Sequence, residues 1–152
     1  MGHPSKDLIE AEGTLRTVIE TLLDDQEGFQ KIGEAMGDET LKRYFLSESL
    51  KRAEFRGELE TILHQEGVRD IHETGSPAGA FRRLFAGLKS AFGAGTHALL
   101  KSAEEAEDAA RQAYETALEN ALPAPVREVL IRQAAHIEAA YAYVRGAREA
   151  TR

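Results

Sequence analysis

The chain has no cysteine, and this one absence removes disulfides, thiolate catalysis, zinc fingers and iron–sulfur clusters together. The opening residues, MGHPSKDLIEAEG, hold no apolar stretch of the kind a signal peptide needs, and no later run approaches the roughly 20 apolar residues of a membrane-spanning helix. A soluble, unexported, cytoplasmic protein with no transmembrane segment is therefore expected. A basic face is also missing: the net charge is −7, with acids and bases interspersed along every segment, so no nucleic-acid partner is expected. There is no Ser-His-Asp or Cys-His arrangement, no phosphate loop and no zinc-protease motif to support a hydrolase or a nucleotide enzyme. No segment alternates apolar and polar residues with enrichment in Val, Ile, Thr and aromatics, which excludes a sheet. Nor is there an internal break rich in Pro, Gly and Ser, so residues 1–152 read as a single domain long enough to bury its own core.

What is present is helical periodicity, and the chain reads as all-α. A first helix is predicted from residue 5 or 6 to 36, with Leu8, Leu15, Ile19, Leu22, Phe29, Ile32 and Met36 on one face, Gln26 inside that face, and Gly37 as its stop. Asp38 is a good N-cap for a second helix reaching 66, whose stripe of Leu41, Phe45, Phe55, Leu59 and Ile62 is interrupted by Glu48 and Arg52 and closed by Gly67. Ser76 and Pro77 open a short helix over 77–92 bearing Phe81, Leu84, Phe85, Leu88 and Phe92. Thr96 is the expected N-cap of a third long helix through 99–122, with Leu100, Ala103, Ala110, Tyr114, Ala117 and Ala121 on its inward stripe. A fourth begins near Pro125, with Val126, Val129, Leu130, Ile137, Ala140 and Val144 inward, Gln133 on the stripe and His136 at its edge. Gly33 and Gly37, like Gly93 and Gly95, read as helix stops and turns.

Two short links, at 37–38 and 123–124, make antiparallel hairpins, and the segment 67–96 between them makes one long crossover. The expected architecture is therefore a ferritin-like four-helix bundle whose crossover contains a short fifth helix. The second and third helices would then run parallel. Heights counted from the first turn place Gln26, Glu48 and Glu107 in one layer roughly 15 Å down, with His136 one turn from the matching level on the fourth helix.

Gly28 and Phe29 after an acidic stretch, Arg52, Phe55, Glu58 and Leu59, then Glu104, Glu107, Asp108 and Tyr114, and finally Gln133 form a scattered pattern along nearly the whole chain. This pattern resembles an uncharacterised, mostly proteobacterial family of ferritin-like four-helix-bundle proteins. The resemblance implies the bundle with one crossover, and a stress context by analogy with ferritin-like proteins generally.

Glu104 and Glu107 share a helical face and would repel each other unless a cation, a proton or an arginine stands between them. One reading is a carboxylate-rich metal site for iron, manganese or zinc built from Glu27, Glu48, Glu104, Glu107 and His136. A conventional di-iron set would want Glu-x-x-His on two helices. Here Lys51 and Arg52 follow Glu48, and the fourth helix offers Gln133-x-x-His136. The other reading is a polar layer in which Arg52 and Arg111 neutralise the acids and set helix register, and the missing histidines and available arginines favour it. Tyr114, Tyr141 and Tyr143 read as packing aromatics with a polar tip. His3, His64, His72 and His97 share no face and read as solvated, Glu60 and His64 forming only a chance i,i+4 pair. In the 77–92 helix, Arg82, Arg83 and Lys89 stand without acids. That helix either lies back on its own acidic bundle or meets a protein partner, a second copy in a homo-oligomer, or an anionic membrane surface. The function these features favour is non-catalytic: interaction through the surface, with metal binding as the competing possibility.

Overall fold

The computed structural model describes residues 5–68 and 95–151, and within them the chain is entirely helical. The elements are α1 (Lys6–Ala35), α2 (Glu39–Gln65), α3 (Thr96–Leu118) and α4 (Ala124–Ala150). The short helix predicted over 77–92, together with His3 and His72, lies outside the described residues.

The helix ends follow local chemistry. The Ser5 hydroxyl accepts the Leu8 N–H at 3.1 Å and the Asp38 carboxylate accepts the Leu41 N–H at 2.9 Å, each satisfying a first-turn donor that has no intrahelical partner. α2 closes at Gly67, whose φ of +92° suits a residue without Cβ. There the Gly67 N–H donates to the His64 carbonyl and the Val68 N–H to the Leu63 carbonyl, a Schellman closure. α3 starts one residue earlier than predicted, because Gly95, with φ +94°, takes the N-cap position and Thr96 is already helical. It also stops at Leu118, short of the predicted 122. The Asn120 side-chain amide donates to the Thr116 and Ala117 carbonyls, and Arg127 donates to those of Leu118 and Asn120, so the last turn is satisfied without further helix. Ala121 is consequently exposed and outside the core.

Two apolar clusters show how the helices run. One joins Leu8, Leu15 and Leu22 of α1 to Phe55, Leu59 and Leu63 of α2, Ala110 and Tyr114 of α3, and Val126 and Leu130 of α4. The other joins Phe29, Ile32 and Met36 to Leu41 and Phe45, Leu99 and Leu100, and Val144. Thus the start of α1 and the ends of α2 and α3 lie at one end of the bundle, and α2 and α3 run parallel. Each helix packs chiefly on two antiparallel neighbours: α1 on α2 and α3, and α4 on α3 and α2. Val68 and Gly95 therefore lie at opposite ends, as a long crossover requires. Gly33 is not a helix stop. It lies within α1, where an added Cβ would come within 2.9 Å of the Leu46 side chain and 3.2 Å of its backbone nitrogen, so its lack of a side chain lets α2 approach.

Candidate functional site

Between the two apolar clusters lies a polar layer centred on Arg52, which is completely buried and is the bulkiest of the fully buried side chains. Position 52 falls on the inward stripe of α2, one turn from Glu48 and near Phe55, so helical geometry carries the guanidinium into the core. A buried cation is tolerated only when its donors are used. Nη1 donates to Asp25 Oδ2 of α1 at 2.7 Å. Nη2 donates to Glu107 of α3 at 2.7 and 2.9 Å and to Glu48 Oε1 at 2.9 Å, while Nε reaches the same Glu48 oxygen at 3.3 Å. The guanidinium also sits over the Phe29 ring, 4.9 Å from its centroid. From α4, His136 Nε2 stands 2.9 and 3.1 Å from the two Glu48 oxygens, with its ring edge-on to Phe55. Its side chain is one-third exposed, so it forms the solvent edge of the layer.

Three carboxylates thus converge on one guanidinium. Burial alone would lower the pKa of Arg52, but Glu107, Asp25 and Glu48 outweigh it and hold the group above its ordinary value. Burial pushes the Asp25 carboxyl well above the usual range, aided by Glu107 and Asp24 and opposed by Arg52. Glu107 is raised for the same first reason, with Glu48 adding and Arg52 opposing. Asp25 Oδ1 is buried and has no hydrogen-bond partner among the described residues.

A second polar network lies toward the α1 N-terminal end. The Tyr114 hydroxyl donates to Gln133 Oε1 at 2.7 Å, and Gln133 Nε2 donates to the Phe55 carbonyl and to Glu58 Oε1, each at 3.0 Å. Arg132 closes it by pairing with Glu58, and that hydrogen bond, followed by the one from Gln133, lowers the Glu58 pKa. Burial raises the Tyr114 phenol, so its proton stays on the donor.

Of the residues singled out from sequence, Glu48, Glu107 and His136 meet in this layer. Glu104 does not join them; it is half-buried and pairs with Arg148 of α4. Glu27 is exposed on α1, and the acid which that helix supplies is Asp25. Gln26 is only half-buried; its backbone carbonyl accepts the Ser49 hydroxyl at 2.6 Å, while its side chain stays outside the Arg52 cluster. Arg111, expected as a second neutralising cation, instead pairs at the surface with Asp108 and Glu138 and stacks 4.2 Å from the Tyr141 ring centroid. Asp25 could have been found: it lies three residues after Leu22, four before Phe29 and seven before Ile32, at the centre of the α1 stripe. Among the described residues, no group of three or more His, Asp and Glu side chains is arranged to hold a metal ion. Chemically, the layer can hold charge and exchange protons.

A shallow groove between α3 and α4, lined by Tyr114, Leu118, Ile131, Ala134 and Ala135, encloses about 260 Å³, below the usual range of small-molecule pockets.

A family model described as "Domain of unknown function (DUF2383)" matches residues 10–120, which include Asp25, Glu48, Arg52 and Glu107 but not Gln133 or His136. The match spans most of the chain, which therefore belongs to that family. No curated protein matches it.

Proposed function

Starting from membership of that family, we propose that the chain is a non-catalytic, ferritin-like bundle with a crossover over 67–96, acting through its surface in the bacterial cytoplasm as a stress-associated interaction protein. The observation that carries this reading is the occupancy of the central layer. A guanidinium stands where the acids of α1, α2 and α3 converge, and its N–H groups take up carboxylate oxygens that would otherwise be free for a ligand. Glu104, the remaining inward candidate on α3, is likewise engaged by an arginine. The layer then serves as a register device: a guanidinium that reaches three carboxylates in one alignment of the helices penalises every slipped one. Interaction is left to other parts of the chain, and the 77–92 stretch, basic and Phe-rich in sequence, is the contact proposed for a second copy or a protein partner.

The test is elemental analysis of protein purified without a metal-affinity step, before and after incubation with iron, manganese and zinc salts. Protein that is metal-free and stays so after desalting is the expected result. Near-stoichiometric metal that disappears in the Glu48→Gln, Glu107→Gln variant would overturn the reading.

A further inference from the structure

We propose that the Arg52 layer is a proton-binding site, in which the Asp25 and Glu107 carboxyls together retain one proton in the folded chain at neutral pH. The first support is a charge count. Asp25, Glu48 and Glu107 all bond to one guanidinium, so full ionisation would leave two uncompensated negative charges in a region from which solvent is almost excluded.

The second support is geometric. Arg52 spends Nη2 on Glu107 and Glu48 together and only Nη1 on Asp25, and the second oxygen of Asp25 is buried with no donor among the described residues. An ionised carboxylate needs donors on both oxygens when water is excluded, whereas a neutral carboxyl needs far less. The surroundings on each helix point the same way. On α1, the neighbouring Asp24 adds negative potential at Asp25. On α2, Glu48 faces Glu107 and Arg52 supplies the positive charge, while Tyr44, its own proton held by burial, brings none. On α3, Tyr114 is neutral for the same reason. On α4, His136 bonds Glu48, so any relief it gives goes to the outer carboxylate and not to the inner pair. The proton belongs to the pair, since Asp25 and Glu107 face the same guanidinium and each raises the cost of ionising the other.

A carboxyl that keeps its proton on folding stabilises the fold fully below its unfolded pKa and loses that contribution as pH rises through the folded one. Relative to a variant without the site, the folding equilibrium constant should therefore fall up to about tenfold per pH unit above the ordinary carboxylate range. Urea unfolding of the full chain between about pH 5 and 9 reads this directly, with Asp25→Asn and Glu107→Gln as comparisons. The expected result is a steeper loss of stability with pH in the wild type than in at least one variant. Infrared spectra of the wild type at neutral pH should also show a protonated-carboxyl band that vanishes on unfolding, a readout that stands even if a variant fails to fold. Superimposable pH profiles for the wild type and both variants, or folded wild type without that band, would overturn the proposal.

Discussion

Removing Arg52 would leave Asp25, Glu48 and Glu107 buried around a cavity with no counter-charge. Arg52→Met should cost about 3–5 kcal/mol in urea unfolding, the usual penalty for deleting one partner of a buried ion cluster. Arg52→Lys should also be destabilising, because an ammonium cannot reproduce the planar fork that reaches α1, α2 and α3 at once. A loss below about 1 kcal/mol in the methionine variant would mean that water enters the layer and screens the acids. How far this was legible in sequence varies by residue. Glu48 and Arg52 stood out because charges interrupted an apolar stripe, and Glu107 stood out the same way. Asp25 lies on the α1 stripe but was harder to single out: Asp24, Asp25, Gln26 and Glu27 are consecutive polar residues, Asp24 is buried as well, and choosing which of them reaches the arginine needs a helix phase correct to one residue, about 100° of rotation. Arg111 was misplaced because i,i+3 and i,i+4 spacing to Asp108 and Glu107 does not say which acid an arginine prefers when one of them, Asp108, is solvent-accessible.

At the level of elements, the glycines of α1 and α2 separate packing from propensity. Gly33→Ala gains up to about 1 kcal/mol of helix propensity but forces its new methyl against Leu46, an overpacking cost of about 1–3 kcal/mol, so the variant should melt at lower temperature than the wild type. Gly57→Ala meets nothing within 4 Å in the middle of α2 and should raise the melting temperature by the propensity gain alone. If both substitutions moved the transition in the same direction, the close contact of α1 and α2 at Gly33 would be wrong. Helix starts and stops were readable where side chains or backbone sterics dictate them, as at Ser5, Asp38 and Gly67. The end of α3 was not, because it is decided by Asn120 and by Arg127 arriving from the next helix, contacts that exist only once α3 and α4 are paired.

For the whole molecule, the parallel course of α2 and α3 is the feature that separates this bundle from an up-and-down one. The absence of native cysteine allows a direct check by spin labels on exposed Gln65, Lys101 and Glu119. The Gln65–Lys101 distance should exceed the Gln65–Glu119 distance, because Lys101 lies roughly 27 Å of helical rise from Glu119, toward the other end of α3. The reverse order would place α3 antiparallel to α2. That the described residues make four long helices, where most of them begin, which faces are apolar and that two short links force antiparallel hairpins were determined by the sequence alone, because each depends on neighbours within a few residues. Which acids meet the central arginine was decided only by the tertiary structure. Glu48 is one turn away, but the partners of Arg52 on other helices lie 27 residues before it and 55 after it, and their meeting depends on the rotation and height of three separate helices. No local pattern encodes those quantities; they are set when the two apolar clusters close above and below the layer and leave the guanidinium one place in which each of its nitrogens finds a carboxylate acceptor.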